Sequence, residues 1–278
     1  MSKEIEDYLN TSHVTLNQNY WDNQYVAQAT GWDLGAVSPP IKKFIDGIKD
    51  KHLSILIPGC GNGYEAEYLL QQGFTNITVI DIAPTLVGNL KAKFKHNASV
   101  TILLGDFFEH QNTYDVIIEQ TFFCALPPTF RQKYVAKMYQ LLNTNGLLVG
   151  LLFNRSFEKS PPFGGNKAEY EALFKNAFEF LNFDTTPISV VPRANSELWI
   201  ELKKQNDVVV TLYTIAGITC MGCKTDITTK ILKMNTVLNA SINTSFTELL
   251  VVSSKEIDIL HIENEIETSE KRYTLIKN

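Results

Sequence analysis

The stretch LSILIPGCGNG, residues 53–63, decides the fold of the first part of the chain. Its apolar half predicts a short buried strand, and its three glycines predict a tight turn into a helix that begins at Tyr64. Such a turn lets a ligand approach the backbone, where the helix N-terminus offers free N–H groups. The spacing G-x-G-x-G differs from the G-x-G-x-x-G of dinucleotide-binding folds, so this loop alone is weak evidence for a ligand.

Helices and apolar strands alternate around this stretch. Further strands are predicted over Ile77–Ile82, Val100–Leu104, Tyr114–Glu119 and Leu147–Phe153. Helices are predicted over Pro40–Asp50, Tyr64–Gln72, from Pro84 onward, and over Thr129–Leu142 with Asn145-Gly146 as its stop. Because the strands are apolar throughout and alternate with helices, they predict a parallel sheet covered on both faces.

Acidic residues follow the second and third of these strands. Asp81 ends the second strand, and Gly105-Asp106-Phe107 follows the third. Carboxyl ends of parallel strands meet at one edge of a sheet, where open α/β folds hold their ligands. Asp81 is therefore placed to accept both hydroxyl groups of a ribose, and Asp106 to contact an adenine. The alternative is a plain strand–helix turn with Asp81 as a solvated strand end.

Composition and charge narrow the class of protein. The chain has 278 residues, 44% of them hydrophobic, and a formal net charge of −5, which argue against disorder and against nucleic acid as the main partner. The polar start MSKEIEDYLN does not resemble a signal peptide, and the longest apolar run, Leu147–Phe153, is too short to span a bilayer. We expect a cytoplasmic protein with no membrane association.

A change of composition predicts two domains. No proline occurs after residue 192 and no tryptophan after residue 199, and a polar segment at 203–207 precedes a new β-rich stretch. We predict a first domain of residues 1–204 and a second of residues 205–278.

Several motifs of the first domain resemble a known family. The order P-G-C-G-N-G, I-D-I, G-D-F is similar to that of S-adenosylmethionine-dependent methyltransferases. Four further segments resemble the thiopurine S-methyltransferase family, and its plant thiol and halide methyltransferases most closely: Tyr20-Trp21, Gly31-Trp32-Asp33-Leu34-Gly35, the run FFCALPP at 122–128 with Arg131, and PPFGG at 161–165. The resemblance covers roughly residues 18 to 202. It implies a Rossmann-like class I methyltransferase with a mostly parallel seven-stranded sheet, and S-adenosylmethionine as cofactor.

The resemblance also implies residue roles. Trp21 and Trp32 would cover the cofactor, with Tyr25 standing where the plant enzymes have another tryptophan. Gly59 would line the methionine end and Asp81 the ribose. Asp106 and Phe107 would bracket the adenine, and Glu119 would lie near the sulfonium. Gln120 stands where the plant branch has an aromatic residue.

The acceptor of the methyl group is predicted to be a soft nucleophile in a small molecule: a thiol, a halide or a metalloid. A thiol is partly thiolate near neutrality, so no dedicated base is needed, and the five histidines lie in polar or loop contexts. We assign Phe123 and Arg131 to catalysis: an aromatic wall for the cation and an attractor of anionic acceptors. One residue of the Phe122-Phe123 pair is expected in the core, and Arg131 has a helix-surface alternative. Cys60 and Cys124 are expected to be packing residues.

The C-terminal segment carries a C-x-x-C motif. It reads strand, loop, helix, strand, strand, helix, strand, the ferredoxin-like α+β order. Its bounds are Val208–Ile215, Gly217–Cys223, Lys224–Met234, Val237–Asn243, Glu248–Ser253, Ile257–Thr268 and Arg272–Ile276. The motif G-I-T-C-M-G-C resembles the heavy-metal-associated domain of copper chaperones. The resemblance implies that Cys220 and Cys223 bind a soft ion such as Cu(I), and that a metal-delivery partner exists. The rival is a thioredoxin-like redox pair, but that fold needs a proline that this segment lacks.

Together these features predict an enzyme with a metal-binding tail. The alternative is a metal-handling binding protein whose methyltransferase domain has lost catalysis.

Overall fold

The computed structural model describes residues 15–267 and 273–278. Seven strands form the first sheet, in the order β3-β2-β1-β4-β5-β7-β6. They are β1 (Ile55–Pro58), β2 (Ile77–Asp81), β3 (Val100–Leu104), β4 (Tyr114–Gln120), β5 (Leu142–Phe153), β6 (Phe178–Thr185) and β7 (Glu197–Lys204). All neighbours pair in parallel except β7, which is antiparallel to both β5 and β6. The prediction of a mostly parallel seven-stranded sheet is confirmed.

Within the described residues, six α-helices accompany this sheet. They are α1 (Gln18–Val26), α2 (Pro39–Gly47), α3 (Tyr64–Gln71), α4 (Pro84–Lys93), α5 (Arg131–Leu141) and α6 (Lys167–Phe174). Apolar side chains of α2, α3 and α4 share one buried cluster, and those of α5 and α6 share another. The sheet is therefore covered on both faces, as its uniformly apolar strands require.

The junction of α5 and β5 differs from the sequence-based expectation. The helix begins at Arg131, because residues 128–130 form a separate short 3-10 turn. It ends at Leu141 and β5 follows at once, so Asn145-Gly146 lies inside the strand and does not stop the helix. Asn145 has a left-handed φ of 61°, and the register between β4 and β5 shifts beside this position. The turn-forming pair marks a strand irregularity rather than a helix end.

A second, antiparallel sheet follows, with strand order β11-β8-β10-β9. Its elements are β8 (Val209–Ala216), α7 (Met221–Leu232), β9 (Val237–Ile242), β10 (Glu248–Ser253), α8 (Ile259–Ile266) and β11 (Thr274–Lys277). This is the predicted succession of elements. The predicted last helix and strand extend into residues 268–272, which lie outside the described residues. Helix α7 begins earlier than expected because the Cys220 side chain caps it.

The second sheet packs on both of its faces. Along β10, Leu249 and Val251 join the cluster that contains the helices α7 and α8. The alternate residues Leu250 and Val252 join the core that contains α5, because successive side chains of a strand point to opposite faces. The C-terminal unit is therefore docked against the first sheet's helix layer. A domain boundary at 204/205 stays a prediction.

Because the C-terminal unit shares a core with α5, we expect the two units to unfold together. Leu250 is 1% exposed and Leu260 of the same unit is 62% exposed. We expect Leu250→Ala to lower the free energy of unfolding by about 2–4 kcal/mol, because it leaves a cavity between β10 and α5. Chemical denaturation followed by tryptophan fluorescence should show it, since all three tryptophans lie before residue 200. Leu260→Ala is the control and should change stability by less than about 0.5 kcal/mol. An unshifted tryptophan transition in Leu250→Ala would contradict the coupling.

Candidate active site

A cavity of about 1100 Å³ lies at the carboxyl edge of the parallel strands. Its walls come from the N-terminal leader, the glycine loop after β1, the ends of β2 and β3, and the segment after β4. Of the predicted site residues, those that line it are Trp21, Tyr25, Trp32, Gly59, Asp81, Asp106 and Phe107. Glu119, Phe123 and Arg131 are not among its lining residues.

The glycine loop closes against the segment after β4. Gly59 has a φ of 56°, in the left-handed region, and a Cβ atom placed there would overlap the ring of Phe122. Only glycine satisfies both conditions without strain. The contact brings the end of β1 and the aromatic segment after β4 together at the cavity floor.

The carboxyl ends of β2 and β3 contribute one buried and one exposed acid. The Oδ1 atom of Asp81 accepts a hydrogen bond from the backbone N of Ala83 at 3.0 Å. Burial raises the pKa of Asp81 to about 6, although backbone N–H groups favour its charged form. Asp106 is exposed and accepts from the backbone N of Phe108 at 2.8 Å, while the buried ring of Phe107 lies 5.1 Å from that of Phe122. The cavity thus offers acceptor oxygens at one end and aromatic faces beside them.

Three aromatic residues of the leader form a cover over the glycine loop. The ring of Trp32 lies edge-on to Trp21 at 5.7 Å and to Tyr25 at 6.0 Å. The hydroxyl of Tyr25 lies near Gly61, and burial and the nearby Asp81 raise the pKa of that hydroxyl above its usual range.

The leader is held in place by residues to which the sequence had assigned no role. Asp22 accepts hydrogen bonds from the backbone N of Thr85 at 2.7 Å and from its Oγ1 at 3.1 Å, which ties α1 to the start of α4. Asp33 accepts a short hydrogen bond from the side chain of Asn62 in the glycine loop. Asp22 directly follows Trp21, and Asp33 directly follows Trp32. An acidic residue next to each of these tryptophans was therefore the sequence signal from which the fastening of the leader could have been predicted.

A buried arginine completes this fastening. The Nη2 atom of Arg193 donates to the carbonyl of Trp32 at 2.8 Å, and its Nη1 pairs with Glu197 at 3.3 Å. Arg193 lines the cavity, and nothing in its sequence context distinguished it from other arginines.

Glu119 lies behind the cavity and not among its lining residues, and its assignment near the sulfonium stays a prediction. Its carboxylate is fully buried. Oε1 accepts from the backbone N atoms of Phe122 at 2.8 Å and Phe123 at 3.0 Å, and Oε2 accepts from the hydroxyl of Tyr134 at 2.7 Å. These bonds hold a sharp turn in which Thr121 has a left-handed φ of 61°. Glu119 therefore positions the cavity floor from behind it.

Phe123 and Arg131 are also placed behind the wall. Phe123 is buried among Tyr134, Tyr170 and Phe174, and its neighbour Phe122 lines the cavity instead. The turn after β4 ends the strand alternation, so the sequence could not decide which phenylalanine faces the ligand.

The guanidinium of Arg131 is bonded to other groups of the protein. It forms an ion pair with Glu169, and its Nη2 donates to the carbonyl of Gly164 at 2.6 Å. It is buried and fastens the segment that holds P-P-F-G-G. The cavity does carry an exposed arginine, Arg155, and among the described residues no ion pair involves it.

Histidine, the most frequent general base, is absent from the described lining of the cavity. Cys60 and Cys124 line it but are buried, and burial raises the pKa of both thiols. They are placed as the packing residues that the sequence suggested, since a raised pKa opposes thiolate formation.

The C-x-x-C pair lies at the start of α7, where the two sulfur atoms form a disulfide. Cys220 is exposed, and its Sγ accepts from the backbone N of Cys223 at 3.1 Å. Residues 15–267 and 273–278 contain no group of three or more His, Cys, Asp or Glu side chains suited to a metal. Metal binding by the reduced pair stays a prediction. No helix in the described segments is long and apolar enough to cross a membrane.

The fold and this cavity define the class of protein. A methyltransferase of Burkholderia thailandensis, 1,6-didemethyltoxoflavin-N1-methyltransferase, aligns with a TM-score of 0.56 at 15% identity, covering 74% of this chain and 92% of that one. Magnesium protoporphyrin IX methyltransferase from Synechocystis aligns with a TM-score of 0.54 at 14% identity, covering 70% of this chain and 100% of that one. The chain has the α/β fold of S-adenosylmethionine-dependent methyltransferases.

Sequence comparison gives the family. The sequence pattern of the thiopurine S-methyltransferase (TPMT) family matches residues 16–211, and the chain belongs to this family of methyltransferase enzymes. It is 32% identical over 200 residues to "Probable thiol methyltransferase 2" of Arabidopsis thaliana, covering 69% of this chain and 88% of that protein. It is 25% identical over 203 residues to "Thiocyanate methyltransferase 1" of Brassica oleracea, covering 69% and 88%.

The burial of Glu119 predicts a pH dependence of stability. Burial raises the pKa of Glu119 from 4.5 to about 7. Because the folded state holds this proton more tightly than the unfolded chain, the resulting stability is fully present below pH 4.5 and is lost as pH rises through about 7. We expect the free energy of unfolding to fall over this range by up to about 3 kcal/mol more in wild type than in Glu119→Gln.

Urea denaturation at a series of pH values measures this difference. Part of the decline should persist in Glu119→Gln, because burial also raises the pKa of Glu65 to about 7 and that of Asp81 to about 6. Glu179→Gln, at an exposed strand position, is the control and should follow wild type. Identical pH profiles for wild type and Glu119→Gln would show that this carboxyl group does not titrate as described.

Proposed function

We propose that the cavity binds S-adenosylmethionine and that the chain transfers its methyl group to a soft nucleophile in a small molecule. The observation that carries the proposal is the meeting of the Gly59 turn, the buried Asp81 carboxylate and the aromatic cover in one cavity. Family membership supports it, and so do the solved structures of similar fold that contain the cofactor or its demethylated product.

The residues present fit such a cofactor. Asp81 lies at the carboxyl end of β2, where its free acceptor capacity suits ribose hydroxyl groups. Phe107 and the exposed Asp106 suit an adenine, since one supplies a face and the other an acceptor. The open backbone at Gly59, beside the ring of Phe122, suits the methionine end. Trp21 and Trp32 suit a cationic group below them.

The cofactor supplies a methyl group already activated on a sulfonium centre. The chain's own task is to align the acceptor, exclude water and favour an electron-rich partner. Phe122 and the leader tryptophans provide aromatic walls, and the exposed Arg155 can attract an anion. A thiol reacts as the thiolate after losing its proton to water, and thiocyanate or a halide has no proton to lose. A cavity without a histidine base therefore suits these acceptors better than alcohols or amines.

The names of the relatives narrow the acceptor further. One is called a probable thiol methyltransferase and the other a thiocyanate methyltransferase. We infer that thiols and thiocyanate are the first acceptors to test, with halides and metalloids as the wider class. The departures at Tyr25 and Gln120 from the plant pattern fall on cavity-lining residues, so the preferred member of this class can differ from theirs.

An acceptor panel tests the proposal. Full-length protein with S-adenosylmethionine should release S-adenosylhomocysteine in the presence of a thiol, thiocyanate or iodide. An alcohol and an amine of matched size should give rates at least about 100-fold lower, because each needs a base to reach its reactive form. The measurement is mass spectrometry of both products. No S-adenosylhomocysteine release with any acceptor of the panel would support the alternative, a metal-handling protein with a catalytically degenerate methyltransferase domain.

Asp81→Asn provides the binding control for this panel. The amide keeps the shape but loses charge-assisted hydrogen bonds, so calorimetry should show about 10- to 100-fold weaker S-adenosylmethionine binding. Asp184→Asn, at an exposed position far along the chain, should bind as wild type does. Unchanged binding in Asp81→Asn would remove the proposed ribose contact.

We propose in addition that residues 205–278 form a ferredoxin-like unit related to heavy-metal-associated domains. The strand order β11-β8-β10-β9 with two helices on one face supports this relation. Its cysteines lie where a helix N-terminus stabilises thiolates, and two soft ligands suit linear Cu(I). A metal-delivery partner, like a cytoplasmic location, stays a prediction from the sequence.

Competition for a metal distinguishes metal binding by the C-x-x-C pair from a redox role. Reduced full-length protein should remove one equivalent of Cu(I) from a chromogenic chelator, and Cys220→Ser/Cys223→Ser should remove none. Cys60→Ser/Cys124→Ser is the matched control and should retain the full equivalent, because both thiols are buried in the first unit. Equal Cu(I) uptake by both double variants would exclude a site at the C-x-x-C pair.

A further inference from the structure

The loop between β9 and β10 contacts the entrance of helix α5. Asn243 in this loop is 2% exposed, which is rare for an asparagine. Its Nδ2 donates to the backbone carbonyl of Thr129 at 3.0 Å and to Oγ1 of Thr247 at 3.2 Å. Its Oδ1 accepts from the backbone N atoms of Thr247 at 2.9 Å and Glu248 at 3.1 Å. The whole amide is engaged, so its position is fixed.

The carbonyl that Asn243 holds belongs to a wall of the cavity. Thr129 is the middle residue of the short turn Pro128–Phe130. Leu126, Pro127 and Phe130 of this segment line the cavity. The turn is thus fixed at its centre by a residue of the C-terminal unit, while its flanking side chains face the ligand space.

The wall that this turn supports includes a second aromatic ring, that of Phe108. The Nζ of Lys133 lies 4.6 Å from the ring centre of Phe108. Phe108 lines the cavity, and its ring lies 5.6 Å from that of Phe130. The loop therefore supports this aromatic pair through the turn that carries Phe130.

We propose that Asn243 is a positioning residue for the cavity: it fixes the Thr129 carbonyl and thereby the Phe130–Phe108 wall. Phe108 directly follows Phe107, and its backbone N donates to Asp106 at 2.8 Å, so this wall borders the proposed adenine end of the cavity. The inference rests on the proposed function in taking that end as the cofactor's. The C-terminal unit then helps to fix the geometry of the methyltransferase site.

The test uses Asn243→Asp in the full chain. Aspartate keeps the acceptor for the two loop N–H groups but cannot donate to the Thr129 carbonyl when charged. Asn239→Asp is the matched control. It lies in the same strand-loop unit, and its Nδ2 also donates across the interface, to the carbonyls of Ala172 and Lys175 at 3.0 Å each. Those carbonyls lie at the end of α6, outside the cavity lining.

Hydrogen exchange measured by mass spectrometry gives a readout that needs no acceptor. The amide of Phe130 bonds to the Pro127 carbonyl at 2.9 Å within the turn. We expect peptides covering residues 125–131 to exchange at least about 5-fold faster in Asn243→Asp than in wild type. Asn239→Asp should leave them unchanged and accelerate peptides around residue 175. Equal exchange at 125–131 in both variants would overturn the proposal.

Steady-state kinetics gives the second readout. Asn243→Asp should raise the KM of S-adenosylmethionine by about 5- to 20-fold and change the KM of the best acceptor less than 2-fold. A merely structural role would move both constants, or neither. If Asn243→Asp does not fold, Asn243→Ala replaces it with the same expectations. If wild type methylates no acceptor, the proposed function fails, while the exchange comparison still decides whether Asn243 fixes the Phe130 wall.

Discussion

The site depends on the contact between Gly59 and the ring of Phe122. A side chain at position 59 would collide with that ring, and a left-handed φ at this position would strain any other residue. Phe122 is in turn fixed through its backbone N–H by the buried carboxylate of Glu119, which also receives the hydroxyl of Tyr134. Helix α5, which contains Tyr134, therefore helps to fix the floor of the cavity. The space above Gly59 that these contacts leave open is available to a ligand.

Two attached segments complete the cavity around this floor. The leader is fastened by acids that bond to α4 and to the glycine loop, and it supplies the aromatic cover. The C-terminal unit is fastened through the apolar face of its sheet and through Asn243, and it supports the opposite wall. The Nζ of Lys224, next to Cys223, lies 3.5 Å from the Asn243 carbonyl oxygen. Asn243 therefore lies next to both the start of α7, where the cysteines are, and the turn in the cavity wall.

The sequence predicted the strand-end residues well because parallel strands fix where their carboxyl ends lie. Gly59, Asp81 and Phe107 fall at such ends, and all line the cavity. Beyond β4 the left-handed turn at Thr121 breaks the alternation on which the prediction relied. Phe122 rather than Phe123 then faces the cavity, while Glu119, still within β4, is buried behind it. The fastening of Arg131 depends on a segment more than thirty residues away, which local pattern cannot reveal.

A crystal structure of the full chain with S-adenosylhomocysteine tests the central claim most directly. The account predicts ribose hydroxyl groups within hydrogen-bond distance of Asp81, the adenine against Phe107, and the sulfur atom beside Gly59 and Phe122. The acceptor side, beside Phe122 and Arg155, should stay open. A ligand bound elsewhere, or a saturated crystal with this cavity empty, would contradict the account.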